Sequence, residues 1–553
     1  MRTRRSNAAG LKAVVVAGGH VVSMGWDLPR PFIEARRVHG FGIRRTRHSD
    51  GEVIWLLGSK TFPSVVPNPA PGVGVSTRYH PIQGFQWSDY TASPGQEYTY
   101  RIAAIAGDVA HPVIATYVDA KVTTEPVDLG RHAIFFNRGA IASQEYARRF
   151  LNRKPREVGQ AALDWLSRGL VEGLLQVIAS AGPGDAINAA FYEFKNIDVM
   201  HAFRAAATRG ASVQVVYDAK SEREKNETVI DQAGIRDLVI PRTKTGHLMH
   251  NKFLVLSRAG VPQEVWTGST NLTENGIYGH SNNAHIVRDA AVAGSYLRYW
   301  QLLADDRTRS EIAAQTSLFS PAPAPAGATD TDVVFSPRSN LDALTWYASL
   351  AAGAKHAVFM TFAFGMNTPF VPGYSVENDV LRYALMDKTG SGAQKAAQSA
   401  VVAAIRRLRN VIVSVGSFIP VNGFDRWLGE TPKASASHNV LYVHTKYMLV
   451  DPMSDSPTVV VGSANFSDGS TKTNDENMLV IRGNTAVADV YLGEFMRLFS
   501  HYSFRESVTR FGLREAGWLD ESLEWVGRGY FDATKPNYLK RLYFSGQKVP
   551  PQL

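Results

Sequence analysis

A set of chemically distinctive residues occurs twice in this chain at one fixed interval. His250-Asn251-Lys252, Gly268-Ser269-Thr270-Asn271 and Asn282 recur as His444-Thr445-Lys446, Gly462-Ser463-Ala464-Asn465 and Glu476, each pair separated by 194 positions. A repeat without net insertion requires the same connecting elements in both copies. The chain is therefore expected to fold as two similar halves, with one motif set in each and a shared site where they meet.

The spacing has a physical meaning. Side chains at i and i+2 of an extended segment point the same way, which pairs His250 with Lys252 and His444 with Lys446. The apolar runs that follow, Phe253-Leu254-Val255-Leu256 and Tyr447-Met448-Leu449-Val450, fit strands of a sheet covered on both faces. In Gly-Ser-x-Asn the glycine permits an unusual turn, while the hydroxyl and amide supply hydrogen-bond donors. Imidazole, ammonium and amide groups, each supplied twice, suit a phosphate.

A duplicated H-x-K with G-S-x-N resembles the phospholipase D superfamily of phosphodiesterases, over about residues 130 to 500. The resemblance implies a covalent phosphohistidine intermediate, then attack by water or an alcohol, without a metal or other cofactor. It implies catalytic roles for His250, Lys252, His444, Lys446 and Glu476. Ser269, Asn271, Ser463, Asn465 and Asn282 are expected to bind substrate. Asn282 and Glu476 each follow their own motif histidine by 32 residues, so Asn282 is expected to orient His250 and Glu476 to orient His444. On that pairing His444, beside a carboxylate, reads as the general acid, and His250 as the nucleophile. The sequence departs from the family pattern at Asn282 and at Ser257, which stands where the second half has Asp451. Asp451 lies beyond the active face of its strand and reads as structural. The neighbouring His247, His280 and His285 read as ordinary core or surface histidines.

At 553 residues several domains are expected, since single cores seldom exceed about 250–300 residues. Residues 1–127 read as a small all-β sandwich of fibronectin type III-like form. Pro94-Gly95 leads into a strand that places Tyr98, Tyr100, Ile102 and Ala104 on one face. Residues 128–316 and 334–500 read as two α/β halves with mixed, largely parallel sheets related by a pseudo-twofold axis. Phe359 to Phe364 in the second echoes Ala190 to Phe194 in the first. A Pro/Ala-rich linker, residues 317–333, joins them. Gly365 to Tyr374 reads as a binding loop or a plain connection. The extension 501–553, with Trp518, Trp525, Tyr530, Phe531, Lys535, Tyr538, Lys540, Arg541, Tyr543 and Phe544, reads first as a flap packed on the body. Interleaved aromatic and basic residues also suit a nucleic acid or a membrane interface.

A hydrophobic content of 44% and charged content of 20% match an ordinary globular chain. The formal charge of +9 suits a polyanionic partner, whether nucleic acid or an anionic membrane surface. The lack of cysteine excludes disulfides, thiolate metal sites and thiol nucleophiles. No apolar run reaches membrane-spanning length. The short Val14-Val15-Val16 run after Met1-Arg2-Thr3-Arg4-Arg5 makes a poor export signal, so a cytoplasmic location is favoured over a secreted or periplasmic one. A monomer without an obligate protein partner is expected.

Three functions follow. The first is a phospholipid-cleaving or head-group-exchanging enzyme, since two motif copies in one chain is the arrangement common among the family's lipid-acting members. The second is a nuclease using the same chemistry, favoured by the positive charge. The third is a binding protein whose catalytic half is degenerate.

Overall fold

The computed structural model describes the chain except residues 68–72, 152, 245, 247, 324–329, 388–393, 417–442, 512–516 and 550–553. His247 lies outside the described residues. The first ten strands are β1 (Arg2–Ser6), β2 (Lys12–Ala17), β3 (Val22–Asp27), β4 (Val38–Arg47), β5 (Val53–Trp55), β6 (Leu57–Gly58), β7 (Val75–Ser76), β8 (Gln86–Asp89), β9 (Glu97–Gly107) and β10 (Pro112–Thr123). They form two four-stranded sheets, β1-β2-β3-β8 and β10-β9-β4-β5, with β6-β7 as a small ribbon. The segment weighed as an export signal is strand β2, hydrogen-bonded on both edges. Alternation along β9 puts Tyr98, Tyr100, Ile102 and Ala104 wholly inside, where they meet Val15, Trp26 and Phe41 from both sheets.

Two larger sheets follow. The first half supplies β11 (His132–Phe136), β12 (Asp185–Phe191), β13 (Ser212–Asp218), β14 (Val239–Arg242), β15 (Lys252–Arg258), β16 (Val261–Gly268) and β17 (Asn283–Arg288). The second supplies β18 (Thr331–Ser336), β19 (Ala357–Phe362), β20 (Leu381–Met386), β21 (Val411–Val415), β22 (Tyr447–Val450), β23 (Thr458–Gly462) and β24 (Glu476–Arg482). The orders β11-β17-β16-β15-β12-β13-β14 and β18-β24-β23-β22-β19-β20-β21 are the same topology twice.

The sheets are mixed, and the expectation of a largely parallel arrangement needs correction. In the first half only β12-β13 and β13-β14 pair in parallel, while the other neighbouring pairs are antiparallel. The short connection between β15 and β16 permits nothing else, because parallel neighbours need a crossover of a dozen or more residues. Both faces of the sheets are covered. Tyr447 and Leu449 join a core continuous with the first half, and Met448 and Val450 join a separate outer cluster.

The link between halves is shorter than its composition suggests. The helix Arg309–Phe319 runs into it and β18 begins at Thr331. The segment after Gly365 packs down as a connection, with Phe370 and Tyr374 buried against Phe362. The aromatic extension also lies on the body. Trp525 is fully buried between Phe41 and Phe85 and donates its indole N–H to the Val38 carbonyl at 3.1 Å. Helix Pro536–Phe544 then crosses to the second half, where Phe544 meets Phe359 and Tyr383. A Cβ on Gly25 of β3 would collide with the Phe544 carbonyl, so backbone lies directly on backbone there.

Asp451, which closes the second H-x-K run, accepts the backbone N–H groups of Lys355 at 2.8 Å, His356 at 2.6 Å and Ala357 at 2.9 Å. It therefore holds the start of β19 and stays clear of the histidines. Asp451→Ala is expected to lower stability by about 1–2 kcal/mol in urea unfolding, while the imidazole NMR signals of His444 stay in place.

Candidate active site

The two halves meet at the ends of β15 and β22. The rings of His250 and His444 face each other with centroids 6.5 Å apart, within the span of one phosphoryl group. Two isolated parallel bridges fix this approach, Met249 with Asp475 and Ser281 with Val443. Their hydrogen bonds are Asp475 N–H to the Leu248 carbonyl at 2.9 Å and His444 N–H to the Ser281 carbonyl at 3.2 Å. Each bridge joins the segment entering one histidine to the segment entering the other half's orienting residue.

The orienting pairs are accordingly exchanged between halves, against the expectation from chain order. His250 Nδ1 lies 2.9 and 3.0 Å from the two carboxylate oxygens of Glu476. His444 Nδ1 lies 2.8 Å from Asn282 Oδ1. The reason is geometric: Glu476 opens β24 and Asn282 immediately precedes β17, and the two bridges set each of these strand starts against the other half's histidine segment. The amide of Asn282 has a fixed orientation, because its Nδ2 donates to the Gly276 carbonyl at 2.8 Å. Its Oδ1 also accepts from Ser269 Oγ at 2.8 Å. Both histidines thus present Nδ1–H to an acceptor, leaving Nε2 for chemistry.

The other motif residues sit around this pair. The ammonium groups of Lys252 and Lys446 each donate to the carbonyl of their own motif histidine, and both side chains are buried. Lys252 also lies 5.2 Å from the ring centre of Tyr192. In Gly-Ser-x-Asn the shared need for glycine is space. A Cβ on Gly268 or Gly462 would strike the carbonyl oxygen of Asn283 or Asn477. Ser463 Oγ receives the Asn477 N–H at 3.0 Å, as Ser269 Oγ receives that of Asn283 at 3.1 Å. These serines tie strand to strand, and Ser269 reaches the site through Asn282. Asn271 donates to Glu193, and Asn465 donates its backbone N–H to Ser470 Oγ at 3.1 Å. Behind the histidines, Asp218 accepts from the N–H of Met249 at 3.4 Å and Asp387 from that of Val443 at 3.0 Å.

Burial dominates the electrostatics. It pushes Lys252 down to about 7, against the opposing pull of Glu476, Glu193 and Asp218. Lys446 lies well below its ordinary range through burial and the nearby Lys252. His444 is held well below the usual imidazole range by burial, Lys446 and His280. His250 is lowered by burial, with Glu476 opposing. Several basic groups packed in low dielectric resist charging together, and an anion between them reverses this. Among the described residues no three imidazole or carboxylate groups gather as a metal site. No described helix is long and apolar enough to cross a membrane.

Several residues at the site were not marked by the repeat. The His280 ring, read from sequence as ordinary, lies 6.0 Å from that of His444, and Tyr192 lies 5.3 Å from His250. Glu193 accepts from Lys195 at 2.8 Å as well as from Asn271, and Lys195 also reaches Glu222 at 2.7 Å. Asn474 donates to Glu476 Oε1 at 3.2 Å. These positions do not repeat chemically. The residue 194 after His280 is Asn474, and the residues one, two and four past the end of β12 (Tyr192, Glu193, Lys195) are matched past β19 by Ala363, Phe364 and Met366. The residues that follow β12 beside the site are therefore polar where their counterparts after β19 are apolar.

No curated protein sequence matches the chain. Among solved structures, it resembles the polyphosphate kinase of Porphyromonas gingivalis at 14% identity and a TM-score of 0.36, covering 58% of this chain but only 46% of the kinase, less than half its length. It resembles the phosphatidylserine synthase of Haemophilus influenzae Rd KW20 at 11% identity and a TM-score of 0.42, over 62% of this chain and 91% of that one. Against Nuc of Salmonella typhimurium, a phospholipase D family member, identity is 27% and the TM-score 0.21, over 25% of this chain and 87% of that one. Residues 174–303 and 425–499 match the family described as cardiolipin synthase, PLD-like domain, one segment around each motif set, so the chain carries PLD-like sequence in both of its halves.

Proposed function

We propose that the chain is a metal-independent phosphodiesterase of phospholipase D type, acting on a phospholipid through a phosphohistidine at His250. The observation that carries this reading is the facing pair of imidazoles, 6.5 Å apart, each anchored at Nδ1 by the other half. In the first step the Nε2 lone pair of neutral His250 attacks phosphorus. The bond from phosphorus to the leaving oxygen breaks, and that oxygen takes the proton from His444 Nε2. The phosphorylated ring is cationic, and the Glu476 carboxylate at its Nδ1 stabilises the charge as it develops. This reason replaces the neutrality inferred from chain order and keeps His250 as nucleophile. His444, beside a neutral amide and other basic groups, is a strong acid once the negative charge of the bound diester has favoured its uptake of a proton from solvent. In the second step neutral His444 accepts a proton from water or an alcohol, whose oxygen attacks phosphorus and returns the electron pair to His250. Lys252, Lys446, Asn271 and Asn465 face the phosphoryl oxygens.

The presence of both motif sets in one chain and the apolar wall at Phe364 support a lipid. The formal charge of +9 supports nucleic acid as the second reading. The all-β unit, read as fibronectin type III-like, serves as a packing domain. A panel of phosphatidylcholine, phosphatidylglycerol, and single- and double-stranded DNA, each with chelator, decides between them. Head-group release that survives chelator is expected; nicking without lipid turnover would favour the nuclease. Silence on all substrates, with His250→Ala identical to the parent, would leave a binding protein.

The depressed lysines give a further expectation. An anion in the site raises the Lys252 value above its free value of about 7, so binding at pH 8 takes up protons. Calorimetric titration with orthovanadate in two buffers of different ionisation enthalpy is expected to show that uptake, with the share from Lys252 fading toward pH 6. Equal heats in both buffers at pH 8 would contradict it.

A further inference from the structure

The polar wall has no role in the phosphoryl chemistry as written. Glu193 sits one residue beyond Tyr192 on the first half, partly open to solvent, with one oxygen on Lys195 and the other on Asn271. A carboxylate is a poor neighbour for a phosphodiester anion, and one cation and one amide are spent to keep it there. Its location next to Asn271 places it at the rim of the phosphoryl site. The His280 ring lies against the ring of His444, the proposed proton donor. Its position is held by its own backbone, whose carbonyl accepts from Asn137 Nδ2 at 2.6 Å and whose N–H bonds the Asn275 carbonyl at 2.7 Å. Among the described residues neither ring nitrogen of His280 bonds a protein group, and neither is sealed from solvent, so both remain available to a ligand. Burial and the nearby Lys446 push this imidazole down to about 4, and it is therefore neutral at working pH, able to accept as well as donate.

The oxygen that His444 protonates belongs to the alcohol half of the ester. That half must lie beside His444 and hence along the wall of His280 and Glu193. The corresponding segment after β19 offers Phe364, 37% exposed, while Met366 is buried in the outer core of the second half. An acceptor-rich wall facing an apolar one fits a substrate with unlike ends.

We propose that Glu193 and His280 form the subsite for the alcohol half of the phosphodiester and select an alcohol carrying a second hydrogen-bond donor, a hydroxyl or an ammonium. The proposal rests on the phosphodiesterase reading above. Glu193 accepts from that donor, His280 orients the chain between it and the ester oxygen, and the apolar half of the substrate lies toward Phe364. A site built to bond a donor rejects an analogue lacking it, because its own polar groups are then left unpaired.

The test uses the full chain and three lipids with identical acyl chains: phosphatidylglycerol, phosphatidylethanolamine and phosphatidyl-1-propanol. The ratio of kcat/KM values reports the subsite whether water or an alcohol completes the reaction. The parent is expected to prefer at least one donor-bearing head group over propanol by about tenfold or more. Glu193→Gln and His280→Phe are expected to bring that ratio toward one. Phe364→Ser is expected to lower all three rates alike. The glycerol and ethanolamine arms tell hydroxyl from ammonium. A parent that turns over all three lipids equally overturns the proposal, as does a preference that survives both wall substitutions. A parent that cleaves none of them and traps no phosphohistidine overturns the underlying reading instead.

Discussion

Glu476→Gln is expected to cut turnover by about a thousandfold or more, the scale seen when a carboxylate that orients a catalytic imidazole loses its charge. The substitution keeps size and hydrogen-bonding capacity, so the loss reports charge. Glu476 is buried with its oxygens 2.9 and 3.0 Å from His250 Nδ1. Without it, the cationic phosphorylated ring forms in a low-dielectric site beside two lysines, with no anion at its own Nδ1. The effect crosses between halves: the phosphorylated His250 peptide trapped from phosphorus-labelled substrate by alkaline denaturing quench is expected to vanish, although Glu476 belongs to the second half. Asn282→Asp acts in the opposite sense on the other ring. A carboxylate 2.8 Å from His444 Nδ1 favours the imidazolium, which raises the pH at which the acid-dependent limb of the rate profile falls. A trapped peptide containing His444 would reverse the two roles.

Trp525→Ala is expected to be the most destabilising single change outside the site, by about 3–5 kcal/mol. The indole is completely buried, packed among Phe41, Phe85 and Tyr530, and its N–H has a partner in the Val38 carbonyl. Truncation leaves a cavity between the sandwich and the chain's last segment as well as an orphan carbonyl. Arg541 pairs with Asp27 of β3 close by, and Phe544 closes on Phe359, so loosening the tail frees contacts in the second half too. Urea unfolding followed by fluorescence and far-ultraviolet dichroism is expected to show a lower midpoint. A midpoint within about 0.5 kcal/mol of the parent would show that the tail merely rests on the surface.

What was legible in the sequence follows from what repeats. The interval of 194 residues reported equal connections and hence equal folds, and the two sheets do share one strand order. It also gathered His250, Lys252, His444 and Lys446 correctly, since residues that recur at the same place in equivalent sheets must meet at a common axis. Chain order failed for Glu476 and Asn282. An interval identifies the strand that carries a residue, but facing depends on how two sheets close on each other, which no local pattern encodes. His280, Glu193 and Lys195 were invisible for the complementary reason: they break the repeat, and a lone histidine or an acid next to a lysine has the appearance of an ordinary surface. The buried end of the tail was legible only as aromatic richness, because Trp525 and Phe544 find their partners hundreds of residues away.

The crossed bridges at Met249–Asp475 and Ser281–Val443 have a consequence for how such a protein can change. Were the two lobes separate identical copies, any exchange at one orienting position would appear at both, and a carboxylate could not be lost on one side alone. Tethered in a single polypeptide, the lobes are free to differ: a charge behind one imidazole, an amide behind the other, acid and base along one flank, hydrocarbon along its mirror. Fusion converts a twofold scaffold whose two flanks must match into one whose flanks can carry different charge and polarity.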